Sequence, residues 1–104
     1  MNLISALELK EHLKKETALL IDVREPYEHF AESIIGAKLI PLSEISCDKL
    51  PLHNGPIIIH CKLGKRSIDA CHKLKQENPS LDLYSLEGGI NAWKAMGFEV
   101  VNHA

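Results

Sequence analysis

The residues best suited to covalent chemistry are concentrated in one short segment. It follows the apolar residues 56–60 and consists of Cys61, Lys62, Leu63, Gly64, Lys65, Arg66 and Ser67. The unpaired N–H groups at the start of a following helix favour negative charge, and so do three cations close to a cysteine in sequence. Both effects favour the thiolate, which is the nucleophilic form of cysteine. We therefore expect Cys61 to be a nucleophile in an anion-attracting loop.

The rest of the segment suits a loop that holds an anion. Gly64 allows a tight or left-handed backbone, so that successive N–H groups can converge on one point. Ser67 is predicted to cap the helix that follows. However, a cysteine after a strand is also commonly a small buried apolar residue, and basic loop residues are commonly just solvated. The segment alone leaves the catalytic and the structural interpretations open.

The two other cysteines do not share this environment. Cys71 lies at helical spacing with Ile68 and Leu74, which predicts packing in the core, and Cys47 lies in a loop without neighbouring cations. The His–Cys pairs at residues 60–61 and 71–72 match no closed zinc pattern, so no metal site is expected. An odd number of cysteines without framework spacing is typical of a reducing compartment, and we expect a cytoplasmic location.

Length and charge narrow the classes of function. The 104 residues are predicted to form a single domain over 1–104. A formal net charge of −2 provides no general basic field for nucleic acid or an anionic membrane surface. No apolar run approaches the length of a membrane span, and the first residues lack the pattern of a secretory signal. Any binding of anions must therefore be local.

Short apolar segments alternate with helical patterns along the chain. The predicted strands cover residues 18–21, 37–42, 56–60 and 81–86. The predicted helices cover residues 6–15, 26–32, 67–76 and 89–95. In the first helix, Leu7, Leu9 and Leu13 are predicted to lie near one face. The alternation predicts an α/β domain with a parallel sheet covered by helices on both faces.

Ligands of such sheets bind beyond the carboxyl ends of the strands. Three short stretches follow predicted strands and carry polar side chains or glycines: residues 22–25, 61–67 and 87–89. Because the carboxyl ends of parallel strands meet at one edge of the sheet, we expect these stretches to lie together there.

Three separated segments together resemble the rhodanese family of sulfurtransferases. The first covers residues 22–28 and continues in residues 35–37 and 40–42, the second is the loop 61–66, and the third covers residues 86–93 and then Gly97. They occur in the family's order and span nearly the whole chain. The resemblance implies a rhodanese-like α/β fold, with a five-stranded, mainly parallel sheet and helices on both faces.

The resemblance also implies roles for individual residues. Cys61 matches the family's nucleophile, which accepts a sulfane sulfur and becomes a persulfide. Residues 62–67 match the loop whose backbone N–H groups surround that sulfur. Asp22 and Arg24 match an acidic–basic pair that is expected to support the loop, with Glu28 as a potential partner of Arg24.

Other matched positions are expected to serve the architecture. Gly88 and Gly89 match the tight turn before the last helix, and Trp93 matches a residue that packs this helix inward. One departure is visible at Ser33, which replaces the histidine that the family usually has before its Gly-Ala pair. We expect this change to alter local packing and not the chemistry of the loop.

The resemblance implies transfer of sulfur from thiosulfate, or a similar small anionic donor, to cyanide or a thiol, without a cofactor. Lys62, Lys65 and Arg66 are expected to attract the anionic donor. Related cysteine phosphatases have a longer loop than the four residues that separate Cys61 from Arg66 here. A phosphatase also needs a general acid, which this loop does not supply.

Two alternatives come from other classes of protein. The domain is small, so it could be a sulfur-carrier module that docks to a sulfur-relay partner and receives sulfur from another protein. It could also be an inert regulatory domain of the same family. Such domains typically lack the nucleophile, and the presence of Cys61 makes this the weakest hypothesis.

Overall fold

Strands and helices alternate along nearly the whole chain. The structure is a computed structural model that describes residues 1–102, so the last two residues of the predicted domain lie outside the described range. The strands and helices are β1 Asn2–Ile4, α1 Ala6–Lys15, β2 Leu19–Asp22, α2 Pro26–Ala31, β3 Lys38–Leu39, β4 Ile57–His60, α3 Lys65–Glu77, β5 Leu83–Leu86 and α4 Gly89–Ala95.

The five strands form one sheet in the order β1-β5-β4-β2-β3, and every neighbouring pair is parallel. Strand β4 lies in the centre and is buried at each of its positions. This burial explains why Ile57–Ile59 is apolar without alternation, since helices cover both faces of a parallel sheet. The predicted fold class is therefore confirmed.

Two hydrophobic clusters occupy the two faces of the sheet. Because side chains alternate across a strand, Ile59 faces α3 and packs with Leu74, whereas Ile58 faces α1 and α4 and packs with Leu9 and Trp93. This arrangement fixes β4 from both sides. Its carboxyl end, where the reactive segment begins, is therefore held in a rigid frame.

Several predicted boundaries were wrong. Strand β1 was not predicted, and β3 covers only two of the predicted residues 37–42, because edge strands this short leave almost no pattern in a sequence. In α1, Leu9 is fully buried, whereas Leu7 is 53% exposed. The inner face of this helix is formed by Ala6 and Leu9, with Leu13 partly buried against the same cluster.

None of the helices within residues 1–102 is long and apolar enough to cross a membrane.

Candidate active site

The reactive loop connects the end of β4 to the start of α3. Helix α3 begins at Lys65, two residues before the predicted start, and Gly64 is its N-cap with a left-handed φ of 115°. The prediction that Ser67 caps this helix was therefore wrong, because Ser67 already lies in the first helical turn. Its hydroxyl nevertheless donates a hydrogen bond to the Gly64 carbonyl at 3.0 Å. The turn at Gly64 is thus supported by backbone conformation and by a side chain.

Cys61 is only 1% exposed, and its sulfur lies inside this turn. The Gly64 N–H donates to Cys61 Sγ at 3.1 Å, and Ser67 Oγ lies 3.6 Å from the same sulfur. Ser67 Oγ is also 2.7 Å from Ser85 Oγ, which belongs to the buried face of β5. The Gly64 N–H is a donor in a fixed position, which stabilises negative charge on sulfur without having to reorganise. The loop therefore suits a thiolate or a persulfide anion.

Helix α4 determines which way the loop backbone faces. The Ile90 N–H donates to the Cys61 carbonyl at 2.9 Å, and the Asn91 N–H donates to the Lys62 carbonyl at 3.2 Å. Gly89 makes this approach possible, since a Cβ at its position would overlap both carbonyl oxygens. Because the Cys61 and Lys62 carbonyls are bound to amides of α4, the loop backbone is held in the orientation in which the Gly64 N–H points to the sulfur.

The loop cations have different partners. The Arg66 guanidinium makes a two-pronged ion pair with Glu28 on α2, at 2.7 and 3.0 Å. The hydrogen bonds from Arg66 hold the pKa of Glu28 below its ordinary value, and the same pair raises the pKa of Arg66. The expected pairing of Glu28 with Arg24 was wrong. Arg66 fastens the loop to α2, so much of its charge is neutralised.

The two lysines of the loop lie at the surface. Lys65 is close to Asp69, one turn further along α3, with 3.8 Å between Nζ and Oδ2. Lys62 is exposed, and within residues 1–102 its ammonium group has no carboxylate within ion-pair distance. It lines a shallow cleft together with Asn91 and Lys94. Lys62 is therefore the loop cation most available to an incoming anion.

Asp22 and Arg24 form a buried ion pair at the end of β2. Arg24 Nη2 lies 2.8 Å from Asp22 Oδ2 and also donates to the Glu32 carbonyl at 2.8 Å. Burial alone would raise the pKa of Asp22, but the hydrogen bonds from Arg24, together with other contacts, bring it below the ordinary value. The pair links the end of β2 to the end of α2.

His60 lies between this ion pair and the loop. It lies beside Asp22 in the sheet register, with its Nε2 3.8 Å from Asp22 Oδ2, and its Nδ1 is 3.1 Å from the Cys61 carbonyl oxygen. Complete burial lowers the pKa of His60, which favours the neutral ring, with Nδ1–H as a donor to that carbonyl. His60 Nε2 has no hydrogen-bond partner within residues 1–102, so the expected support of the loop by Asp22 and Arg24 stays a prediction.

The other two cysteines lie against the core on the α3 side of the sheet. Cys71 is fully buried, as predicted, and burial raises its pKa to about 12. Cys47 begins a short 3-10 helix, Cys47–Lys49, and burial raises its pKa as well. In the described part of the chain, no group of three or more His, Cys, Asp or Glu side chains is placed to hold a metal ion.

Ser33, at the position of the family's histidine, is buried, and its backbone forms an antiparallel bridge with Val101. This bridge joins the segment after α2 to the end of the described chain and lies outside the reactive loop.

The site also contains residues that were not predicted to contribute. Ser85, Ile90 and Asn91 position the loop or its sulfur through the contacts described above. A partial signal for Ser85 was present, because it is a polar residue in a strand with a buried pattern. The amides of Ile90 and Asn91 have no such signal, since any residue other than proline supplies a backbone N–H.

Comparisons with known proteins place the chain in one family. The family model of the rhodanese-like domain matches residues 5–96. The chain therefore belongs to the rhodanese-like domain family. A crystal structure of a rhodanese-related protein from Thermoplasma volcanium has 33% sequence identity and a TM-score of 0.85, and the match covers 97% of this chain and 98% of that one.

Two curated relatives show the range of proteins that the chain is similar to. The thiosulfate sulfurtransferase GlpE of Pseudoalteromonas translucida is 32% identical over 94% of this chain and 93% of its own length. The probable adenylyltransferase/sulfurtransferase MoeZ of Mycobacterium tuberculosis is 40% identical over 86% of this chain, but only 24% of MoeZ is covered. The chain also spans 52% and 60% of the lengths of two uncharacterized relatives.

Proposed function

We propose that this protein is a sulfurtransferase that carries sulfur as a persulfide on Cys61. The observation that carries the proposal is the buried Cys61 sulfur with the Gly64 N–H donating to it at 3.1 Å. A fixed amide donor at that sulfur stabilises the anion needed for attack and the anion that results from it. The family and its sulfurtransferase relatives support the same reading.

In the first half-reaction, the Cys61 thiolate attacks the outer sulfur of thiosulfate. A new S–S bond forms to Cys61, the S–S bond within thiosulfate breaks, and its electron pair leaves with sulfite. The product on the protein is the persulfide anion, Cys61–S–S⁻. No proton and no outside oxidant is needed, because the donor already contains sulfur at the required oxidation level.

In the second half-reaction, cyanide or a thiolate attacks the outer sulfur of the persulfide. The Cys61–sulfur bond breaks, thiocyanate or the acceptor persulfide leaves, and the Cys61 thiolate is restored. Lys62 is the loop cation with the least compensation, so we assign the attraction of the donor and of departing sulfite mainly to it.

Intact-mass spectrometry tests this cycle directly. Reduced protein is exposed briefly to thiosulfate and weighed, then treated with cyanide and weighed again, with the Cys61→Ser variant in parallel. We expect the wild type alone to gain the mass of one sulfur atom and to lose it with cyanide. Full thiosulfate:cyanide activity in Cys61→Ser would overturn the proposal, as would addition of the sulfur at Cys47 or Cys71.

A second candidate is a sulfur carrier that receives its sulfur from another protein. It is favoured by the ion pairs of Arg66 with Glu28 and of Lys65 with Asp69, which reduce the attraction of the loop for a small dianion. The similarity to one segment of the much longer MoeZ is consistent with it. Slow turnover of thiosulfate together with rapid exchange of sulfur with a protein persulfide would favour this candidate.

We also propose a cytoplasmic location, which is supported by the three cysteines, all of them free.

A further inference from the structure

Two clefts share a wall, and one of them adjoins the reactive loop. The first, of about 480 Å³, lies between the loop and β1 and is lined by Leu63 and Leu3. The second, of about 380 Å³, lies between α1 and α4 and is lined by Leu7 and Met96. Glu87 lines both clefts. We call the surface made by these two adjoining clefts, from Leu63 to Met96, the loop groove.

The loop groove exposes large apolar side chains to water. Leu3 is 51% exposed, Leu7 53%, Leu63 67% and Met96 51%. Single exposed apolar residues are common, but several that line two adjoining clefts are typical of an interaction site. Since Leu63 also belongs to the reactive loop, whatever binds in this groove has one end beside that loop.

The charge at the middle of the loop groove is negative. Glu87 is exposed, and among residues 1–102 its carboxylate has no cation within ion-pair distance. By contrast, Asp69 at the loop end has Lys65 beside it. An unpaired carboxylate between two apolar clefts is complementary to a segment with one basic residue flanked by apolar ones.

We propose that the loop groove binds an extended segment of a sulfur-relay partner protein. The segment has a lysine or arginine that pairs with Glu87, apolar side chains on both sides of it, and a cysteine at the Leu63 end. The part of this proposal that concerns sulfur rests on the proposed function. The partner thiolate attacks the outer sulfur of the Cys61 persulfide, the Cys61–sulfur bond breaks, and the partner leaves as the persulfide while the Cys61 thiolate is restored.

Selection from a phage-displayed library of random dodecapeptides tests the surface without any sulfur chemistry. The bait is the full chain, compared with Glu87→Lys and with Glu44→Lys, which reverses the charge of an exposed glutamate outside the groove. We expect the wild type and Glu44→Lys to select apolar peptides with a central basic residue. Glu87→Lys should instead select peptides with a central acidic residue. Failure to enrich any shared pattern, or a pattern that Glu87→Lys leaves unchanged, would overturn the proposal.

Sulfur transfer then tests the orientation of the segment. The enriched peptide is synthesised with a cysteine at one end or at the other, and each form is mixed with protein carrying the Cys61 persulfide. We expect one form to accept sulfur faster, and Glu87→Lys to slow it about fivefold, as expected for the loss of one exposed ion pair. An acidic version of the peptide should recover the rate with Glu87→Lys. Equal rates for both forms would overturn the proposed orientation.

The outcomes separate this proposal from the proposed function. If Cys61 takes up no sulfur but the peptide selection succeeds, the groove stands and sulfur transfer fails. If the persulfide forms but no peptide pattern is found, the proposed sulfur transfer stands and the loop groove fails as a binding site. A dimer in analytical ultracentrifugation that Met96→Asp abolishes would assign the loop groove to a second copy of this chain, and would overturn binding of a partner segment.

Discussion

Replacing Gly89 with alanine tests whether the close approach of α4 shapes the reactive loop. Gly89 has a φ of 58°, in the left-handed region, which costs an alanine roughly 1–2 kcal/mol. The new Cβ would also overlap the carbonyl oxygens of Cys61 and Lys62. Those atoms are backbone and cannot rotate aside, so we assign about 1–3 kcal/mol to overpacking. The total expected loss in the free energy of unfolding is about 2–5 kcal/mol.

Gly97→Ala is the matched control. Gly97 has a φ of 79°, but nothing lies within 4 Å of the position that its Cβ would take. This variant should therefore lose only the conformational part, roughly 1–2 kcal/mol. Urea unfolding of both variants gives the difference, which should be about 1–3 kcal/mol with unchanged m-values.

The same two variants separate stability from the shape of the loop. If α4 fixes the loop, Gly89→Ala displaces the Gly64 N–H from Cys61 Sγ, and persulfide formation from thiosulfate slows in protein that is still folded. Gly97→Ala should keep the wild-type rate. Equal losses of stability in the two variants would refute the steric reasoning. A wild-type rate in folded Gly89→Ala would show that α4 stabilises the loop without shaping it.

Two further predictions concern charges around the loop. At low salt, Lys62→Ala should raise the KM for thiosulfate about two- to fivefold. Lys65→Ala should raise it less, because of these two lysines only Lys65 has a carboxylate beside it. Equal effects of the two substitutions in steady-state kinetics would contradict this assignment. Glu28→Gln should lower the free energy of unfolding by about 0.5–1 kcal/mol at pH 7. Because the folded-state pKa of Glu28 is lowered, this stabilisation is present above its unfolded pKa and is lost as the pH falls through the folded value. Urea unfolding should therefore show the wild type and Glu28→Gln converging below about pH 4, and a difference independent of pH would contradict the assignment.

Much of the fold could be predicted because its signals are local. The apolar run in β4 and the helical spacing in α3 come from burial, which acts on consecutive or regularly spaced residues. Helix α1 was predicted with the boundaries that the structure has. Its inner face was predicted less well, since Leu7 is exposed and the neighbouring Ala6 is buried in its place. Periodicity locates a helix more reliably than it orients every side chain.

The sequence by itself determined the class of fold, the family and the segment in which a nucleophilic cysteine meets a flexible glycine and nearby cations. Only the tertiary structure decided what surrounds that cysteine. Arg66 pairs with Glu28, which is 38 residues away, and the loop carbonyls bind amides at the start of α4. The physical reason is that parallel strands bring distant segments to one edge of the sheet. Contacts made there depend on the packing of whole elements, and a backbone N–H looks the same in almost every residue of a sequence.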